Sequence, residues 1–162
     1  MSAARACHPE NPSSAVAAVF ARIARERMHD VPICNRALSV EVVGLRAWQG
    51  LWVGVVITPW AMNLLVLPGG SDAFVPLRVG GEHIWDFPSG AYAFMGHHEP
   101  GLGDYHYCSL FSPMADFADQ AAARAVACAS LDELFAAPAA EPPRALDRRA
   151  FLRTALGRRP CA

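Results

Sequence analysis

The chain has 162 residues, 53% of them hydrophobic and 18% charged, with a formal net charge of -1. That length fits one domain with a tail and is enough to bury a core, and the apolar share excludes a disordered chain across the middle of the sequence. A charge so near neutral leaves no nucleic-acid footprint, and basic density is confined to Arg22–Arg27 and the last nineteen residues.

Residues 1–12 lack the apolar stretch a secretory signal needs, so the chain is expected to stay in the cytoplasm with a flexible N-terminus. A helix follows: Asn11 supplies the N-cap, Pro12 suits the first helical position, and Val16, Val19, Phe20 and Ile23 recur at helical spacing. It ends near Met28-His29-Asp30, because Pro32 disfavours helical geometry before it. Leu38–Trp48 reads as a strand, with Val40, Val42 and Gly44 on one face, and Gln49-Gly50 turns the chain into Leu51–Thr58. A third apolar strand covers Met62–Leu67. The run 51–67 is interrupted by Thr58, Pro59 and Asn63 and is shorter than the ~20 residues of a membrane span, which makes it two buried strands.

Further strands are predicted at His83–Phe87, Ala91–His97 and Tyr105–Phe111, separated by turns at Pro88-Ser89-Gly90 and Glu99–Asp104. The connections are too short for crossover helices, which predicts an antiparallel meander. A long alanine-rich helix, about Ala115–Phe135, can turn Phe117, Ala121, Ala125, Cys128, Leu131 and Phe135 toward the sheet. The expected fold is α+β: a mainly antiparallel sheet of five to seven strands, covered on one face by the N-terminal and C-terminal helices. Residues 13–136 form this domain, 137–146 a proline- and alanine-rich linker, and 147–162 a tail. At about 3.1 Å per residue the linker can carry the tail roughly 30 Å.

Five cysteines, at positions 7, 34, 108, 128 and 161, include no C-x-x-C pair, which disfavours a disulfide scaffold, a zinc ribbon or a rubredoxin-type iron site. Free thiols are expected, with Cys108 and Cys128 in the core. His97 and His98 are adjacent on a strand and point to opposite faces, so one metal ion could not take both without a bulge. His106 and Cys108 share a face and could form a base–nucleophile pair, but no third group orients them; a buried structural cysteine is the simpler reading. No glycine loop has the form that cradles phosphate. The aromatic and methionine cluster around Thr58-Pro59-Trp60-Ala61-Met62 is mostly core, yet a proline turn breaks the ladder there and sets Trp60 and Met62 at a rim suited to an apolar peptide face.

In the tail, Asp147-Arg148-Arg149-Ala150-Phe151-Leu152-Arg153 resembles a twin-arginine export motif placed where it cannot direct export. It reads either as a short docking helix, with Phe151, Leu152, Ala155 and Leu156 on one face, or as an imitation signal. Arg148 and Arg149 are expected to pair with carboxylates such as Asp30, Asp104 or Asp116, while Phe151 and Leu152 fill an apolar slot.

Several motifs recur in order: Arg27-Met28-His29-Asp30, the block from Trp52 to Met62, Leu67-Pro68-Gly69, Pro76-Leu77-Arg78, and Cys108-Ser109-Leu110-Phe111-Ser112-Pro113. Together the chain resembles the HybE/HupJ type of nickel-iron hydrogenase assembly chaperone over about residues 14 to 135. The resemblance implies a cytoplasmic protein without catalytic activity or cofactor. It also implies binding to precursors of the small and/or large hydrogenase subunit, and delayed twin-arginine export until their cofactors are in place. The paired histidines at 97 and 98 are not part of the pattern. The expected partner-binding residues are Trp60, Met62, Arg148, Arg149, Phe151 and Leu152, with no metal site and no membrane span; homo-oligomers formed through the tail are a further expectation. The rival readings are a small enzyme built on His106 and Cys108, and a structural subunit retained in the finished hydrogenase.

Overall fold

The computed structural model describes residues 6–138. The elements are α1 (Ser13–Glu26), β1 (Glu41–Trp48), β2 (Leu51–Ile57), β3 (Met62–Pro68), β4 (Glu82–Phe87), β5 (Gly90–Glu99), β6 (Gly103–Phe111) and α2 (Gln120–Phe135). Most of the linker and the whole tail, including Arg148, Arg149, Phe151 and Leu152, lie outside the described residues.

The six strands form one antiparallel sheet in the order β1-β2-β3-β6-β5-β4. This is two three-stranded meanders laid side by side, with β3 against β6, rather than the single meander expected. The segment from Gly69 to Gly81 carries the chain from the middle of the sheet to its far edge. Phe74 anchors it, buried with its ring 4.4 Å from that of His106.

The two helices pack on opposite faces, which corrects the one-face expectation. Val53, Val55 and Ile57 of β2 point into the core beneath α2, whereas Val56 joins Val16, Val19, Phe20 and Ile23 of α1 in a second core on the other side. A strand alternates its side chains, so β2 and β3 must be apolar on both faces to serve two cores, and they are but for the half-buried Asn63. The face of α2 is only partly the expected one: Phe117 and Leu131 are buried and Phe135 packs on the core as expected, but the rest of the buried stripe is Ala123, Ala127, Ser130 and Leu134, while Ala121, Ala125 and Cys128 are exposed. In an alanine-rich helix the apolar stripe is too faint to fix the rotation from sequence. The helix starts at Gln120 because the Asp119 carboxylate accepts the Ala122 N–H at 2.8 Å.

The sheet curls around α2 far enough for its two edges to meet at one end. Trp48 of β1 stacks on Phe87 of β4 with centroids 4.4 Å apart, Phe135 closes edge-on against both rings, and the Arg46 guanidinium lies over Phe135. A bulge in β1 helps this curl, because Val43 opposes Val55 and Arg46 opposes Val53, leaving an extra residue between them. That extra residue shifts parity, so Val42 and Leu45 both face α1 instead of alternating from Val40 through Gly44.

The N-terminal segment is hydrogen-bonded to the sheet from His8 onward. His8 donates its N–H to the Pro68 carbonyl, its own carbonyl accepts the Trp52 indole N–H at 2.8 Å, and the Asn11 amide donates to Leu45.

Gly44 has φ +60, and a Cβ there would lie 2.6 Å from Leu131 Cδ1 of α2. Gly44→Ala is expected to destabilise the protein by about 2 kcal/mol through left-handed strain and overpacking. Gly70→Ala, where a Cβ meets nothing within 4 Å, should leave the urea midpoint nearly unchanged.

Candidate functional site

On the α1 side, a groove of about 500 Å³ opens between the C-terminal half of α1 and the sheet, lined by Phe20, Ile23, Met28, Trp60, Tyr105 and Tyr107 among others. A second depression of about 340 Å³, lined by Asp30, Cys34, Asn35 and Pro59, shares Met28 and Trp60 with it. These two side chains thus form the ridge of one continuous concave surface.

The turn that presents Trp60 is locked from inside. Thr58 is fully buried, its hydroxyl donates to the Ala61 carbonyl at 2.8 Å and accepts the Ala61 N–H, and its own N–H donates to the same carbonyl. The Pro59 carbonyl accepts the Asn35 N–H, and the Asn35 side-chain amide donates to the carbonyls of Met114 and Phe117. The loop after α1, the β2–β3 turn and the segment after β6 are thereby fastened together beneath the groove.

Trp60 is half-buried and faces the groove, as a rim residue should. Met62 does not. Strand parity sends it to the other side of the sheet, where it is fully buried in the core beneath α2. Its contribution is packing, and the partner-facing reading of Met62 is corrected accordingly. Of the carboxylates named for the tail arginines, Asp30 lines the concave surface. Asp104 instead bonds to the exposed His98 at 2.7 Å, and Asp116 is exposed beyond β6.

Sequence reasoning missed the polar anchor of the groove. Glu99, at the end of β5, is buried, and its Oε1 accepts from Arg27 at 2.7 Å and lies 3.2 Å from His97 Nε2. Burial pushes the Glu99 carboxyl up, but the hydrogen bonds and charges of Arg27 and His97 outweigh it and hold the group below its ordinary value. Burial, and then the Glu99 charge, push the neighbouring Tyr105 hydroxyl up, so it stays protonated. The His97 ring meets both Tyr105 and Tyr107 edge-on. A lone glutamate beside a turn looks solvated in sequence; only Arg27, 72 residues away, reveals its role. The groove is thus largely apolar with a fixed, ionised floor.

His106 is buried, and its Nδ1 accepts the Trp85 indole N–H at 3.0 Å. Burial lowers its pKa to about 4, so the ring is neutral and one nitrogen is occupied. Cys108 is buried in the same core. No group of three or more His, Cys, Asp or Glu among the described residues is placed to hold a metal ion.

Two pH effects follow. Glu99, with its pKa depressed in the fold, contributes stability that is complete above the ordinary carboxylate value and is lost as pH falls through its folded value. Arg27→Leu should raise the Glu99 midpoint, read by NMR titration, and move acid unfolding to higher pH. His106 acts in the same direction over a different window: the unfolded ring takes a proton near 6.5 and the folded one only near 4. Between those values acidification should remove about 3 kcal/mol, at 1.36 kcal/mol per unit. His106→Gln, which retains an acceptor for Trp85, should flatten the urea-measured stability profile between pH 6.5 and 4.

The comparisons with known proteins agree with this architecture. The sequence matches the HybE family, described as a NiFe-hydrogenase assembly chaperone, over residues 11–154, a span that reaches into the twin-arginine-like motif. It is 41% identical over 138 residues to the probable rubredoxin HupJ of Rhodobacter capsulatus, covering 85% of this chain and 50% of that protein, so it spans half of that relative. With the hydrogenase expression/formation protein HupT of Azotobacter chroococcum mcd 1 the identity is 43% over 139 residues, covering 85% and 92% of the two chains. The solution structure of HybE from Escherichia coli superposes with a TM-score of 0.68 at 26% identity, covering 91% of this chain and 92% of that one. With a match of that extent joined to the α+β sheet flanked by two helices, this chain belongs to the HybE family of NiFe-hydrogenase assembly chaperones.

Proposed function

We propose that this chain acts in the cytoplasm as a non-enzymatic chaperone in the maturation of a twin-arginine-exported NiFe hydrogenase, and that its concave surface at Trp60 and Met28 holds the small-subunit precursor, the large subunit, or both before export. The observation that carries the reading is the groove itself: about 500 Å³, lined by aromatic and apolar side chains, with Glu99 fixed in its floor. Such a surface takes an apolar peptide segment by burying it against rigid aromatic rings, while a charge-assisted pair at one end sets its register.

Co-purification from cells with an arrested small-subunit precursor tests this directly. Trp60→Ala should weaken binding of the precursor's signal peptide about tenfold or more, because a half-buried tryptophan on a ridge is the kind of residue that dominates such interfaces. Circular dichroism should show the fold retained. Undiminished binding by the folded variant would move the site elsewhere. Cys108→Ala should leave hydrogenase maturation intact; loss of maturation by a folded, precursor-binding variant would restore the enzymatic rival.

We also propose that the tail, through Arg148, Arg149, Phe151 and Leu152, competes with the precursor's signal. A short tether supplies a high effective concentration, which lets even a weak imitation compete. Cutting the chain after Ala140 should then raise affinity for a twin-arginine peptide, and unchanged or weaker affinity with the fold intact would exclude the competition.

A further inference from the structure

Helix α1 covers only part of its side of the sheet. The core beneath it draws on β1, β2, β3 and β6 but contains no residue of β4 or β5. On that side β4 presents Glu82, Ile84 and Asp86, and β5 presents Ala91, Ala93 and Met95, because their neighbours Trp85, Phe87 and Phe94 point into the opposite core. Ile84 is 57% exposed and Met95 36%. Glu82 and Asp86 are exposed, and neither takes part in an ion pair among the described residues. The half-face runs into the groove, since Met95 pairs with Tyr107 across the ladder and the Tyr107 hydroxyl donates to the Met95 sulfur at 3.8 Å. A bare apolar strip flanked by two unpaired carboxylates, bordering the proposed precursor site, calls for a basic apolar occupant.

We infer that this half-face is the seat of the chain's own residues 147–156. Charge is one reason. Residues 6–138 carry seven arginines against thirteen carboxylates, while residues 139–162 carry six arginines against two. A chain that is nearly neutral as a whole is therefore an acidic body with a basic end. Position is a second reason. The Leu134 carbonyl, in the last turn of α2, accepts both the N–H and the hydroxyl of Ser89, and Phe135 packs on Phe87. The backbone thus leaves the body beside the β4–β5 turn, at the Asp86 end of the half-face. Reach is a third. Ten residues from Ala137 to Leu146 extend about 30 Å, enough to round the β4 edge and run along a strand of about 20 Å.

Chemistry completes the match. Arg148, Arg149 and Arg153 offer guanidinium groups to Glu82 and Asp86, and Phe151, Leu152 and Leu156 offer apolar cover for Ile84 and Met95. A segment seated there abuts Tyr107 and His97, which line the groove, so it would obstruct an incoming peptide from the open side. The inference rests on the competition reading and gives it a location distinct from the Trp60 ridge.

NMR of the full chain tests it. Arg148→Glu/Arg149→Glu should shift the amide signals of Ile84, Met95 and their neighbours, while those of α2 stay in place. Adding a peptide of residues 144–159 to that variant should move them back. Reversing the partner charges with Glu82→Arg/Asp86→Arg should weaken the added peptide about tenfold, and raised salt should act in the same sense. The wild-type signals should not depend on protein concentration over a tenfold range. If the tail variant shifts signals only around Trp60, or none, the seat is wrong; if the shifts depend on concentration, the occupant is a second copy and the inference fails. Signal-peptide affinity measured alongside separates the readings. Binding lost in Trp60→Ala but unaltered β4–β5 signals overturns the seat and keeps the groove, whereas absent signal-peptide binding with the expected β4–β5 shifts does the reverse.

Discussion

The β2–β3 hairpin, apolar on both faces, is the constraint from which the rest of the architecture follows. Residues 51–57 and 62–68 bury nearly every side chain, so the sheet cannot leave either face to water at its centre. Each face needs its own cover, and the chain supplies one helix before the sheet and one after it. The cover is unequal. α2 lies in the hollow of a sheet whose edges meet at Trp48 and Phe87, which makes that side a closed core. α1 has only fourteen residues, about 21 Å of helix at 1.5 Å per residue, and lies on the outer side, where a sheet curled the other way falls away from it. The groove and the bare β4–β5 half-face are what remains uncovered.

This asymmetry also explains where polar groups are buried. Inside the closed core, the polar requirement is met by neutral partners, as with Trp85 and His106. Beneath the groove it is met by a charged set, Arg27, Glu99 and His97, with the Arg27 side chain 55% exposed and the Glu99 side chain 7% exposed. An ionised carboxylate so deeply placed is tolerated because two donors reach it and because the groove admits solvent to the guanidinium. The same pair joins the end of α1 to the end of β5, which fixes the angle at which the helix leaves the sheet and keeps the groove open.

Most strands and both helices were legible in the sequence because turn residues mark their ends and apolar periodicity marks their faces. The failures have identifiable physical causes. The apolar runs flanking Thr58-Pro59, broken only by Asn63, mark a sheet covered on both faces, but nothing local says which helix goes to which side. Met62 looked like a rim residue because Pro59 breaks the ladder next to it, but the turn is complete by Ala61 and Met62 already obeys strand parity as the partner of Ile57. The bulge at Gly44 inverted the faces of the residues after it, which no alternating pattern can anticipate. In the site, Trp60 was legible from its proline turn, whereas Glu99 was not, because its meaning depends on Arg27 across a long stretch of chain.

There is a physical reason to place the proposed precursor site on the less protected side of the sheet. A site within the closed core would require opening the Trp48–Phe87–Phe135 junction, and with it the packing of α2. A site on the α1 side requires no such opening: its lining rings are held from below by Thr58, Asn35 and the Arg27–Glu99 pair, so a peptide meets a preformed surface and little ordering of the protein offsets the burial. The same preformed surface would be an aggregation hazard if left empty, since exposed apolar strips beside a free strand edge invite further strands. The exposed carboxylates of Glu82 and Asp86 flank the strip and counter that hazard by charge.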